Sequence, residues 1–103
     1  MSSKILSLLS FARKSNNIAF GYMQVAQQIK KGKIELIILA NDISQNSEKK
    51  IHKEADRHSI NVIKYSTKDE LSHSIGQYNK SIFGIKNKSF SKKILEYYLE
   101  EKK

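Results

Sequence analysis

Apolar residues recur at helical spacing from the start of the chain. Ile5, Leu8, Leu9 and Ala12 stand at i, i+3, i+4 and i+7, the stripe of an amphipathic helix over about 3–14. Ser15-Asn16-Asn17 breaks it, and Ile18-Ala19-Phe20 leaves room only for a very short strand. Gly21 then permits a backbone turn that a side chain would hinder. Tyr22, Val25, Ala26 and Ile29 repeat the helical stripe as far as Gly32, a natural stop. Ile34 to Ala40 is apolar except for Glu35 and rich in β-branched residues, which suits a central strand covered on both faces. Asn41-Asp42 ends it.

Ser47 with Glu48 reads as the cap and first-turn acid of a helix carrying Ile51, Ala55 and His58. Ile60 to Tyr65 is the next strand. Thr67-Lys68-Asp69-Glu70 is a capping box that opens a helix through Leu71 and Ile75, closed by Gly76. Ser81 to Ile85 makes a fourth strand. A last helix from about 88 carries Phe90, Ile94, Tyr97 and Tyr98 on one side. Alternating helices and strands predict an α/β domain with right-handed crossovers and helices on both faces of a small sheet.

At 103 residues the chain is one domain, 1–103, with a single core. It contains no cysteine, which excludes disulfides, thiolate metal sites and cysteine nucleophiles. Its apolar runs are far too short to span a bilayer. No signal peptide opens it, so a cytoplasmic location is expected.

Nineteen Lys and Arg against ten Asp and Glu give a net charge of +9. That balance favours a polyanionic partner, nucleic acid first. Codon bias toward lysine competes as the source of the total, but not of its distribution. Residues 1–34 hold Lys4, Arg13, Lys14, Lys30, Lys31 and Lys33 and no acid. Residues 71–95 hold Lys80, Lys86, Lys88, Lys92 and Lys93, again without an acid. Residues 35–70 and 96–103 each sum to −1. If folding joins the two acid-free blocks, they form one positive face. Only two of the nineteen bases are arginine, so bidentate guanidinium recognition is not the main mode.

Catalytic signatures are lacking. His52, His58 and His73 have no metal-ligand spacing, and the glycines match no phosphate-binding loop. Asp42 ends a strand, where helix capping or loop support explains a lone acid better than catalysis. No enzyme, metal or cofactor is expected. No basic helix is expected to expose bulky apolar residues for a membrane surface. Tyr78 lies in the polar loop Gly76-Gln77-Tyr78-Asn79-Lys80, where a tyrosine either stacks on an unpaired base or folds back over the domain edge.

The whole chain resembles the kink-turn RNA-binding ribosomal protein family, the L7Ae-like group, and most of all its small bacterial YlxQ-type members. The residues that carry the resemblance are Leu8-Leu9-Ser10-Phe11-Ala12-Arg13-Lys14, Gly21 with ten residues before Gly32, and Gly32-Lys33-Ile34-Glu35-Leu36-Ile37-Ile38-Leu39-Ala40-Asn41-Asp42. Lys68-Asp69-Glu70-Leu71 with Ile75-Gly76, and Phe90-Ser91-Lys92-Lys93-Ile94-Leu95, extend it toward the C-terminus.

The resemblance implies a three-layer α/β/α sandwich with a four-stranded mixed sheet, and binding of a kinked RNA stem with tandem sheared G·A pairs. By position, Gly21 matches a glycine whose backbone lies against RNA. Lys31 matches a basic residue near phosphate, and Gly76 opens the second contact loop. Archaeal and eukaryotic relatives carry Asn-Glu and then Lys on the guanine-reading helix. The aligned residues here are Met23, Gln24 and Gln27. Gln24 and Gln27 lie three apart, on one helix face.

The expectation is therefore a non-enzymatic, monomeric RNA-binding protein of ribosome or translation biology. Lys31, Lys33 and Lys80 would hold phosphates, Gln24 and Gln27 would read base edges with Met23 beside them, and Gln77-Tyr78 would cover an unstacked nucleotide. The partner would be ribosomal RNA or another kinked stem. The alternative is a protein-interaction module of the same fold that docks on a ribosomal, transcription or translation partner.

Overall fold

A computed structural model describes residues 3–102. The elements run α1 (Lys4–Lys14), β1 (Ile18–Phe20), α2 (Tyr22–Lys30), β2 (Leu36–Leu39), α3 (Gln45–Arg57), β3 (Asn61–Lys64), α4 (Lys68–Ser74), β4 (Ile82–Ile85) and α5 (Lys88–Glu101). The four strands form one sheet in the order β1-β4-β2-β3. β2 and β3 are parallel, while β4 runs antiparallel to both β1 and β2.

Period-two alternation explains the layers. Leu36, Ile38, Phe83 and Ile85 pack with Ile5, Leu9, Leu71 and Ile94, so α1, α4 and α5 cover one face. Ile37, Leu39 and Ile82 pack with Val25, Ile29, Ile51 and Ala55, so α2 and α3 cover the other. This is the three-layer sandwich with a mixed sheet that the resemblance implies. β2 is buried at every position, as its unbroken apolar run requires.

Gly84 lies on the α2 side of β4. A Cβ built there would stand 2.8 Å from Ile34 Cδ1 and 3.3 Å from Val25 Cγ1. The missing side chain lets α2 sit close to the sheet. Ile34 Cδ1 ends a flexible side chain, but Val25 is fixed on the helix. Gly84→Ala should therefore cost about 1 kcal/mol through overpacking, read as a lower urea midpoint with unchanged slope. An unchanged midpoint would show that α2 accommodates the methyl freely.

Local capping follows the sequence with two corrections. Only half of the expected capping box forms, because Glu70 Oε1 accepts from the Ser66 hydroxyl at 2.8 Å instead of reaching back to the Thr67 N–H. Thr67 Oγ1 accepts from the Glu70 N–H at 3.1 Å, and Asn87 caps α5 through Phe90 N–H. The cap of α3 is Ser44 rather than Ser47. Ser44 Oγ accepts from the Ser47 N–H at 3.3 Å. Ile43 is buried in the core, so the chain leaves the core at Ser44 and the helix starts one turn earlier than expected. Asp42 supports a loop, because its Oδ1 accepts the Lys68 N–H at 2.8 Å and joins the end of β2 to the first turn of α4.

Tyr65 ties α1 and α5 to the end of β3. Its hydroxyl lies 2.6 Å from Ser3 Oγ and donates to Glu101 Oε1 at 3.2 Å. Burial pushes this phenol above its ordinary pKa. The Ser3 hydroxyl opposes the rise and the Glu101 carboxylate adds to it.

Candidate nucleic-acid interface

The C-terminal ends of β1, β2 and β3 share one end of the sheet with the start of β4, and the candidate interface is built there. Gly21, between β1 and α2, has φ +83° and ψ 152°, a combination essentially restricted to glycine. Its N–H donates to the Ile82 carbonyl at 2.9 Å, so the turn lies directly beside the start of β4. The Lys80 side chain crosses it. Lys80 Cδ and Nζ both lie 3.9 Å from the position a Gly21 Cβ would take. One residue from each acid-free block thus meets at a single point.

Lys80 is held by its backbone. Ser72, buried on α4, accepts the Lys80 N–H at 2.8 Å and donates its hydroxyl to the Lys80 carbonyl at 2.9 Å. Gly76, at φ +70°, turns the chain out of α4. The Gln77 N–H then closes on the Ser72 carbonyl at 2.8 Å, in the manner of a glycine-terminated helix. The loop between these two anchors presents Tyr78, 88% exposed. Tyr78 does not fold back over the domain edge. It borders a groove of about 390 Å³ between Asp69, Glu70 and His73 of α4 and Gln77 and Asn79 of the loop.

On α2, Gln24 and Gln27 are both exposed and Met23 is 78% exposed. Gln24 Oε1 accepts the Phe20 N–H at 3.0 Å. A backbone N–H only donates, so the amide oxygen must face it, and the Gln24 NH2 is left to present two donors outward. Gln27 keeps both donor and acceptor capacity. Lys31 and Lys33 are exposed at the opposite end of α2, with Lys31 about 15 Å along its axis from Gly21. The structure therefore gathers Gly21, Met23, Gln24 and Lys80 at one end, with Gln77 and Tyr78 on the adjoining loop. Gln27 stands midway along α2, Gly76 borders a groove with Arg13 and Lys14 of α1, and Lys31 and Lys33 are set apart.

Two contributors carry no sequence signal of their own. Ser72 reads as an ordinary helix serine, and its clamp on Lys80 depends on the α4–β4 packing. The tie from Gln24 to Phe20 depends on the turn at Gly21. A basic helix does expose bulky apolar side chains, contrary to expectation. Phe11 of α1 is 66% exposed, because α4 and α5 cover only the Ile5, Leu9 and Ala12 side of that helix. No described helix is long and apolar enough to cross a membrane. The histidines stay apart in function: His52 faces Glu48 at 3.6 Å, His58 Nδ1 lies 3.0 Å from the Glu54 carbonyl, and His73 borders the groove.

Comparison with known proteins agrees with this fold. The model of the ribosomal protein L7Ae/L30e/S12e/Gadd45 family matches residues 3–95. The RNA-binding protein YlxQ of Enterococcus faecium is 26% identical over 93 residues, covering 90% of this chain and 89% of that protein. The RNA-binding protein YlxQ of Bacillus subtilis (strain 168) is 23% identical over 88 residues, covering 85% and 88%. A solved structure from Bacillus halodurans, of unknown function, superposes with a TM-score of 0.88 at 27% identity, covering 93% of this chain and 97% of its own. The Giardia lamblia 15.5 kD RNA-binding protein shares the fold, with a TM-score of 0.72 at 18% identity and coverage of 94% and 87%.

Proposed function

The chain belongs to the ribosomal protein L7Ae/L30e/S12e/Gadd45 family, and from that premise we propose that it is a non-enzymatic protein that binds structured, kink-turn-like RNA in ribosome or translation biology. The observation that carries this is the meeting of Lys80 with Gly21 at the start of α2, beside outward-facing amide donors on Gln24. A cation there holds a phosphate and positions the complex, while the amides address base edges. Two donors from Gln24 suit the acceptors O6 and N7 of guanine. Gln27, one turn on, both donates and accepts, and Met23 packs its thioether on a base. Gly21 lets backbone approach the RNA where any side chain would stand in the way. Gly76 opens the loop on which Gln77 and Tyr78 cover an unstacked nucleotide, with Tyr78 as the stacking platform. Lys31 and Lys33 take phosphates farther along α2.

Gel-shift titration of three RNAs tests the proposal: a kink-forming stem, the same stem with its G·A pairs changed to Watson–Crick pairs, and a plain hairpin. The kinked stem should bind about tenfold or more tightly than either control, a difference of about 1.4 kcal/mol. Equal affinity for all three would reduce the interaction to charge-driven adhesion.

Phe11 favours a second reading, docking on a ribosomal or translation-factor protein. It borders a groove of about 260 Å³ with Leu8, Lys4 and Tyr97, and exposed aromatic side chains anchor protein interfaces. A docking module would shift none of the three RNAs. In either case the chain acts as a monomer, which sedimentation would check.

A further inference from the structure

Three loops meet at the end of the sheet opposite Lys80. The Lys86 N–H donates to the Asn17 carbonyl at 2.8 Å, tying the β4–α5 junction to the α1–β1 loop. The Glu35 N–H donates to the Ile85 carbonyl at 2.7 Å, which brings in the α2–β2 loop. Ile85 stands opposite both Ile18 and Leu36 in the sheet, so Asn17, Glu35 and Lys86 are neighbours. The junction gathers Lys14, Lys31, Lys33, Lys86 and Lys88, of which all but half-buried Lys86 are exposed. Glu35, half-buried, is the only acid in these loops. Among the described residues, none of the five lysines pairs with a carboxylate, since the ion pairs lie on α3 and β3.

Five uncompensated ammonium groups repel one another, and a polyanion relieves that repulsion. Lysine is a compact point charge that follows phosphates without reading bases. The large exposed apolar side chains are Phe11, Tyr22, Met23, Tyr78 and Leu99, and none belongs to these loops. A protein partner would find no anchor here, whereas a phosphate backbone needs none. Gln24, Gln27 and Lys31 stand at i, i+3 and i+7 and form one stripe along α2 from the Gly21 end to the lysines.

We propose that this end of the molecule is a second RNA contact, which grips the phosphate backbone of a stem continuing beyond the site at Gly21, Gln24 and Lys80. It rests on the RNA-binding function proposed above and adds a demand on stem length. Two RNAs test it, sharing one kinked core but carrying either minimal or extended flanking stems. The wild-type protein should bind the extended RNA about tenfold more tightly. Its dependence of log K on log salt should be steeper there by about 2–3, on the order of 0.9 per added phosphate contact if the duplex-DNA slope carries over.

The combined variant Lys14→Gln, Lys86→Gln and Lys88→Gln should lose the length preference while keeping wild-type affinity for the short RNA. Arginine at the same three positions should restore it. Thermal unfolding of each variant checks that the fold is intact. Wild-type indifference to stem length, or an equal loss on both RNAs, would overturn the second contact alone. Failure of the wild-type protein to bind either RNA would overturn RNA binding itself, and the second contact with it.

Discussion

Lys80→Glu is expected to weaken binding of a kinked RNA stem by about a hundredfold while leaving the unfolding free energy within about 0.5 kcal/mol of wild type. The two effects separate because Lys80 is held through its main chain. Ser72 bonds its N–H and its carbonyl, and any residue can supply those groups. The side chain, in contrast, lies over Gly21 with Nζ pointed into the turn that starts α2. A charge-assisted hydrogen bond to phosphate is worth about 1.5–3 kcal/mol, and glutamate replaces that gain with repulsion. The salt slope should become shallower by about 1–2. Lys80→Gln should fall between wild type and the charge reversal, because it removes attraction without adding repulsion. Filter-binding titrations at several salt concentrations measure both quantities. Loss of less than about threefold with an unchanged slope would remove Lys80 from the interface.

Much of the fold that carries this candidate site could be read from the sequence. The stripes Ile5-Leu9-Ala12 and Val25-Ile29 place α1 and α2 because each buries one face only. The β2 run announces a central strand because nothing polar interrupts Leu36–Leu39. Acid-free blocks mark the two halves of the chain that β1 and β4 join by pairing. What stayed hidden depends on tertiary position. Ser44 and Ser47 are equivalent as caps on sequence alone, and the burial of Ile43 decides between them.

The lysines show the same limit more sharply. Lys80 and Lys86 are six residues apart but flank a four-residue strand, so they fall at opposite ends of the sheet. Lys31 and Lys33 therefore join Lys86 rather than Lys80. Charge counting along the chain could mark the two acid-free blocks, with their joining left conditional on the fold. It could not show that they converge at two places.

Ser72→Ala should destabilise the protein by about 2–3 kcal/mol, and it should also lower RNA affinity although Ser72 lies beneath the proposed contact surface. The Ser72 hydroxyl satisfies a donor and an acceptor of Lys80 at once, at 2.8 and 2.9 Å. Its removal leaves both groups without their partner, and each unsatisfied buried group costs about 1–3 kcal/mol. The upper part of that range does not apply, because Lys80 is only half-buried and water can reach it once the loop moves. The same movement carries the functional cost. Gln77 and Tyr78 lie on the short segment between Gly76 and Lys80, so releasing one anchor frees the stacking platform as well as the cation. Denaturant unfolding should show a lower midpoint, and hydrogen exchange should show the Lys80 amide losing protection ahead of the core strands. Wild-type protection at that amide, whatever the midpoint, would mean that some other group holds the loop. The comparison with Lys80→Glu then separates the two residues: the charge variant loses affinity at full stability, and the serine variant loses both together.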